Sequence, residues 1–330
     1  MSEEENKKNK IHGLILFKEH DLKIKEEEKE RITFEDVDQE NKIKLHYDLN
    51  PFAANYKYSL NILNESIAPI TEIKARVKFP HNLELIRYSP NNINLELIDS
   101  KKKDSKQANF EIDQLSGNNN TQINFHFRIL KANDGAEIST YISFVNNKDF
   151  VRVLNADPIN VPMQRVSIAP KIIPSGQITP FLKVEGIKKA VKSIGVGTEK
   201  DFNLDLFFNH INQILRSYEF QLIARDESKR ISWFFGTEIK VNEDILIIGQ
   251  VNQNKVEFLA ASKNHEAIII LLTQLANEFK KHIISIGDIV NSEDNFYDLE
   301  CKNCGNILPR FPKKGETIEC PKCNKEQLVW

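Results

Sequence analysis

Four cysteines, Cys301, Cys304, Cys320 and Cys323, stand in the last thirty residues of this 330-residue chain, which has no others. They form two Cys-x-x-Cys pairs with fifteen residues between them, in the knuckles CKNCG and CPKCN. Such a knuckle turns backbone amides toward the sulfurs while its two thiolates reach one ion, and two knuckles complete a tetrahedral site. The spacing predicts a zinc ribbon over 300–330 holding one Zn2+, with a redox or iron-binding pair as the alternative chemistry. Sulfur would fill all four positions and leave none for a substrate, so the expected role is structural: the ion folds a segment too short to bury a core of its own. Confinement of the cysteines to one stretch argues against a disulfide framework. Lys302, Arg310, Lys313, Lys314, Lys322 and Lys325 give the segment basic character that Glu300, Glu316, Glu319 and Glu326 nearly cancel. A structural or protein-docking ribbon is therefore favoured over a nucleic-acid-binding one.

Catalytic constellations are not found elsewhere. The GVG at Gly195 to Gly197 lacks the preceding strand and third glycine of a dinucleotide fingerprint and is expected to be a turn. There is no Walker loop, no HExxH and no nucleophile elbow. His210 and His265 are expected on solvent faces of helices, and no enzyme is predicted. Aromatic side chains are the remaining candidates. Around Trp233 the residues alternate between two faces, and one exposed aromatic beside a groove could anchor a partner peptide. Trp233 and Phe181 are the candidate partner-binding residues.

The stretch from Ile231 to Ile283 supplies the frame. ISWFFGTEI, DILIIGQV and KVEFLAA are rich in β-branched and aromatic residues and separated by short polar turns, the pattern of an antiparallel meander. In the following segment Ile268, Leu271, Leu272, Leu275 and Phe279 recur at helical spacing, with Asn264 or Ser262 as the expected cap. DLFFNHINQILRSY gives a second amphipathic helix upstream. From 42 to 168 the period is two: Ile73, Ala75, Val77 and Phe79 alternate with Lys74, Arg76 and Lys78, and Ile123, Phe125, Phe127 and Ile129 repeat the pattern. That alternation predicts a β-sandwich. The predicted fold class is multidomain β and α+β: an antiparallel β-sandwich, then a helix–antiparallel sheet–helix platform, then the zinc ribbon. The expected boundaries are a charged arm or edge strand at 1–41, the sandwich at 42–168, and a proline-rich link at 169–180 with little room for a helix. They continue with the platform at 181–287, a polar hinge at 288–299 and the ribbon at 300–330.

A hydrophobic content of 40% suffices for cores of this size, and a net charge of -2 points to neither nucleic acid nor an anionic membrane. No signal-like segment or run of membrane-spanning length is found, so a cytoplasmic location is expected.

The segment ISWFFGTEI–EDILIIGQVNQN–VEFLAASKNHEAIIILLTQLANEF resembles the end of the alpha-type appendage platform of clathrin adaptors. The order of sandwich and platform is similar to that of adaptor and coatomer ear domains. The resemblance implies a non-enzymatic hub for vesicle coat assembly, recruiting proteins that carry short linear motifs with aromatic anchors, alone or on a trunk supplied by a separate coat subunit. Where that family places a tryptophan and arginines, this chain offers Phe181, Gly249 and Val256. The alternative function is a zinc-ribbon nucleic-acid-associated factor with the larger domains as scaffold.

Overall fold

The computed structural model describes residues 41–100, 105–132, 135–198, 202–252, 255–287 and 292–330. The arm expected at 1–41 thus lies, but for its last residue, outside the described residues. Strands come first: β1 (Ile43–Phe52), β2 (Asn55–Asn64), β3 (Ile70–Pro80), β4 (Leu83–Ser89), β5 (Leu95–Ser100), β6 (Ser105–Leu115), β7 (Asn119–Ile129), β8 (Ala136–Val145), β9 (Val151–Asn155), β10 (Ile159–Val161) and β11 (Ile168–Pro170). Next are α1 (Ile178–Lys183), β12 (Lys188–Val196), α2 (Leu204–Ser217), β13 (Gln221–Asp226), β14 (Ile231–Glu238), β15 (Glu243–Asn252), β16 (Lys255–Ser262) and α3 (His265–Ile286). The chain closes with β17 (Phe296–Asp298), β18 (Thr317–Glu319) and β19 (Glu326–Leu328). The described residues are thus dominated by antiparallel sheet, with the cysteines gathered at the C-terminal end.

Alternation decides how the first sheets pack. In β3, Ile73, Ala75, Val77 and Phe79 are buried while Lys74, Arg76 and Lys78 are exposed, as a two-residue period requires. A four-stranded sheet, ordered β1-β2-β7-β4, faces a six-stranded one built on β10-β8-β3-β6-β5. Phe79 meets Phe127 at 4.8 Å and Phe110 meets Phe125 at 5.9 Å between ring centroids. The Tyr58 hydroxyl shares a 2.7 Å hydrogen bond with Thr140, which satisfies two polar groups inside this core.

The third sheet has seven strands, ordered β11-β14-β15-β16-β12-β17 with β13 also on β14. Both longer helices cover one face. Phe279 of α3 packs on Phe258, and the bare backbone of Gly249 lets Ile211 and Leu215 of α2 approach. Caps set the helix starts: Asn203 accepts from the Leu206 amide and Asn264 from the Ala267 amide. Buried apolar residues from each of the three sheets join in one continuous cluster. Polar contacts reinforce the join: His265 Nε2 lies 2.8 Å from the Ala53 carbonyl, and Asn277 donates to the Leu130 carbonyl. His265 is therefore half-buried and engaged rather than solvated.

Several segments differ from the sequence expectation. A helix–sheet–helix platform is not evident as such, because strands from outside the meander join its sheet. The proline-rich link contributes β11, paired with the end of β14, and α1, whose Pro180 sits in the first turn where its missing N–H is not needed. Lys188–Val196, beyond α1, forms β12, inserted between β16 and β17. Gly195 therefore lies in a strand, not a turn. The expected hinge contains β17, bonded to the end of β12.

Candidate metal centre and the open sheet face

The two cysteine knuckles have matching backbones. The Gly305 amide donates to the Cys301 carbonyl at 2.8 Å, and the Asn324 amide to the Cys320 carbonyl at 2.9 Å. Gly305 and Asn324 both take left-handed φ, +70° and +55°, where glycine and asparagine are best tolerated. The knuckles face each other so that all four Sγ atoms lie within 4.8 Å of one another. Cys301 and Cys323 are 3.6 Å apart, as are Cys304 and Cys320. Disulfides would need about 2.05 Å. A tetrahedral ion with sulfur at ~2.3 Å sets sulfurs roughly 3.8 Å apart, so the tetrad is compatible with zinc. The Lys325 amide draws the Cys323 thiol below its usual range, while burial pushes Cys304 up. Four thiolates this close repel one another, and a divalent cation removes the conflict.

The cysteines also serve as core. Cys301 and Cys320 are buried with Leu299, Leu308, Phe311 and Ile318, and Trp330 stacks on Phe311. This small core is pressed onto the seven-stranded sheet on the face away from α2 and α3. A Cβ on Gly195 would lie 2.1 Å from the Phe311 ring, and one on Gly197 would lie 2.7 Å from Trp330. Those glycines were legible as chemistry-free; their actual role, close approach of an aromatic to a strand, is signalled by glycine inside a strand pattern. Lys255 adds a bond from its ammonium to the Pro309 carbonyl, and the Leu299 amide one to Ser193.

A second contact runs to the outer face of the four-stranded sheet. Register shifts between Leu85 and Arg87 of β4, and this irregularity sets Arg87 beside His126 of β7 at 3.1 Å. The Arg87 guanidinium fills the space where Gly305 lacks a side chain, and Asn55 donates to the Glu300 carboxylate at 3.0 Å. Burial, with Arg87 next to it, holds His126 down to about 4. Arg87, His126 and Asn55 were not singled out from the sequence, where they read as polar positions of alternating strands.

Phe181 and Trp233 lie on the sheet face that α2 and α3 leave free. Phe181 packs edge-on to Phe235 at 5.1 Å, so α1 covers the row Phe235–Leu246–Ala261. One row further, Trp233, Ile248, Leu259 and Val191 are cross-strand neighbours and all half-buried. Phe181 and Trp233 are therefore brought to the same face but into adjacent rows, one covered and one partly open. The apolar floor between α1 and the ribbon was legible in the continuous apolar run of β15, which marks a strand apolar on both faces.

No family model matches the chain, and no curated protein does. Solved structures it matches include a variant of BcpA, the major pilin subunit of Bacillus cereus, at 10% identity and TM-score 0.32 over 65% of each chain. The full-length major pilin SpaD of Corynebacterium diphtheriae matches at 8% identity and TM-score 0.30, over 47% of this chain and 42% of that one. A non-cellulosomal cohesin of the archaeon Archaeoglobus fulgidus matches at 13% identity and TM-score 0.23, over 33% and 82%. At these scores nothing about function is taken from them. They do correct the expected kinship: the structures it matches include pilins, a cohesin and a glycosidase rather than clathrin-adaptor or coatomer appendages. The expectation of vesicle coat assembly rested on that kinship and is not carried further. A strand-rich meander running into an amphipathic helix satisfies packing rules common to many folds, so its pattern does not distinguish one family.

Proposed function

We propose that this protein is a non-enzymatic cytoplasmic interaction module, in three units: a β-sandwich (42–168), a sheet-and-helix unit (181–287) and a zinc ribbon (300–330). In this reading it takes up short linear motifs of partner proteins on the free face of its seven-stranded sheet. The observation that carries the reading is the row Trp233–Ile248–Leu259–Val191, half-buried between α1 and the ribbon. Four strands at ~4.8 Å spacing span roughly 15 Å, the reach of about five residues of extended chain. An extended peptide with apolar anchors is the occupant such a strip fits, and the aromatic Trp233 is the kind of residue on which binding energy concentrates.

Zinc supports this role without entering chemistry. Bound by four sulfurs, it would have no open position, and it would hold together the ribbon that seats Phe311 and Trp330 on Gly195 and Gly197. Free thiols at all four cysteines suit a reducing compartment. Among the described residues no helix is long and apolar enough to cross a membrane. The nucleic-acid alternative draws less support, because the ribbon's aromatic face is spent on Gly195 and Gly197.

Peptide display on the immobilised, zinc-loaded chain tests the proposal. Selected ligands should share apolar anchors, shift the emission of Trp233 in a Trp330→Phe background, and lose binding in Ile248→Asp while the melting temperature holds. Ligands that bind Ile248→Asp as well as the parent, or a library that yields none, would sink it.

A further inference from the structure

The charges buried between β12, the C-terminal half of α3 and the four-stranded sheet answer one another. Arg128 binds Glu84 and Asp298, Lys192 shares Asp298 and has Glu300 nearby, and Lys280 has Glu293. The seam between α2 and α3 is different. Phe207 of α2 packs there on Phe279 of α3, and one turn further along each helix two histidines meet, with His282 Nε2 2.8 Å from His210 Nδ1. Both rings are half-buried, so His210 does not lie on a solvent face as its place in the sequence suggested. Gln213, one turn beyond His210, brings its Oε1 to 3.3 Å from the same Nδ1. His210 Nε2 is enclosed without a partner, so the ring makes all its polar contacts through Nδ1. A neutral imidazole nitrogen holds either one hydrogen or one lone pair, and it can serve one such neighbour well but not two. Three atoms able to bind a cation, carried by two helices, thus crowd one point.

We infer that His210 Nδ1, His282 Nε2 and Gln213 Oε1 form a second metal site, for a divalent transition-metal ion of the zinc and nickel class. Two imidazoles and one amide oxygen suit such an ion, whereas magnesium and calcium call for a shell of oxygens. Bonds of about 2.0–2.1 Å to nitrogen set tetrahedral ligands roughly 3.3 Å apart. Gln213 already stands at that distance from His210 Nδ1, and the imidazole pair reaches it by opening about 0.5 Å, a side-chain rotation that leaves the helices in place. Water completes the coordination. His282 stands four residues before the end of α3, whose last turn carries no basic side chain, so the negative end of the helix dipole is left for the ion. Metal at this point ties α2 to α3 and, unlike the tetrad, keeps a position open to water. The site lies on the opposite face of the seven-stranded sheet from the ribbon and the proposed motif-binding strip, and it depends on neither.

Calorimetric titration of the untagged, full-length, zinc-loaded chain with Ni2+ near neutral pH tests the inference, with released zinc measured alongside. The expected result is one nickel ion taken up per chain while the zinc stays bound, with affinity weakened by roughly tenfold or more in His210→Gln and in His282→Gln. His46→Gln, which removes an exposed histidine of β1, should leave it unchanged. Gln213→Glu should tighten it, because a carboxylate replaces a neutral oxygen; a side chain that only hydrogen-bonds the ring would not produce that gain. Nickel uptake matched by zinc release would place the nickel in the sulfur tetrad and overturn the site. Saturable binding that survives in the double variant His210→Gln/His282→Gln, or no saturable binding in the parent, would overturn it too. Should the histidine variants fail to fold, the parent decides: a nickel-dependent rise in melting temperature that is larger in Gln213→Glu upholds the site, and no rise overturns it.

Discussion

The paired sheets of the first half and the ribbon at the end order their backbones by opposite means. Between the sheets, Tyr58, Phe79, Phe110, Phe125 and Phe127 are all fully buried, and each contributes about 1.5–3 kcal/mol by leaving water. Stability there is spread over many side chains, and the loss of one weakens the whole without abolishing it. The ribbon has six buried apolar residues, and two of them, Cys301 and Cys320, are half of the sulfur tetrad. Ligand and core are the same atoms, so its stability is concentrated at one point. The difference teaches where each region is fragile: the first in bulk, the second at a single ion.

The strongest way to break this comparison is to remove one sulfur. Cys320→Ser should cut bound zinc from one per chain to a small fraction, since structural zinc supplies ~10–16 kcal/mol of apparent binding to small domains. Hydrogen exchange should then show protection lost over 296–330 and kept over 43–161. A ribbon that stayed protected without metal would erase the contrast and leave the tetrad an accessory to ordinary packing.

A smaller effect should separate folding of the ribbon from its docking. In Gly195→Val the new side chain enters the space held by the Phe311 ring, and overpacking of this kind costs about 1–3 kcal/mol. The expected outcome is a ribbon that keeps its zinc but leaves the sheet, read as a red shift of Trp330 emission and faster exchange in β17. Loss of zinc in this variant would mean that the sheet, not the ion, holds the knuckles together.

How far the sequence discloses all this depends on the range of the interaction. The tetrad is legible because its chemistry is local: two knuckles of fixed spacing converge wherever the chain carries them. Strand alternation over 42–168 and helical spacing after Asn264 are local too, and β3, β7 and α3 follow them closely. Which strands share a sheet is not local. Nothing in KKAVKSIGV announces that β12 will lie between β16 and β17, since a strand buried on both faces and interrupted by charge matches neither simple period. Arg87, Arg128, Lys192 and Asp298 were illegible for the same reason. Each is an unremarkable polar position until strands far apart in sequence are laid side by side. Phe181 and Trp233 fall between: alternation placed them on a sheet face, but only the position of α1 decides which of the two is covered.

The mildest expected effect concerns the seam where the two regions touch. His126 is 8% exposed, between the Phe52 ring and the Arg87 guanidinium. Burial and that neighbouring positive charge bring it from 6.5 down to about 4. In the unfolded chain the imidazole regains its ordinary affinity, so between pH 6.5 and 4 the unfolded state holds a proton that the folded state refuses. Stability contributed by the neutral ring is therefore complete above pH 6.5 and is lost as pH falls toward 4, with the slope linkage prescribes. His126→Gln, which keeps a polar partner for Arg87 but cannot titrate, should flatten that limb of the stability curve while leaving neutral-pH stability within about 1 kcal/mol. The imidazole resonances of His126 report the same event directly and should titrate near pH 4. If they titrated near 6.5, the ring would be solvated, and the ribbon would not be seated on the first sheet as Arg87 and Gly305 place it.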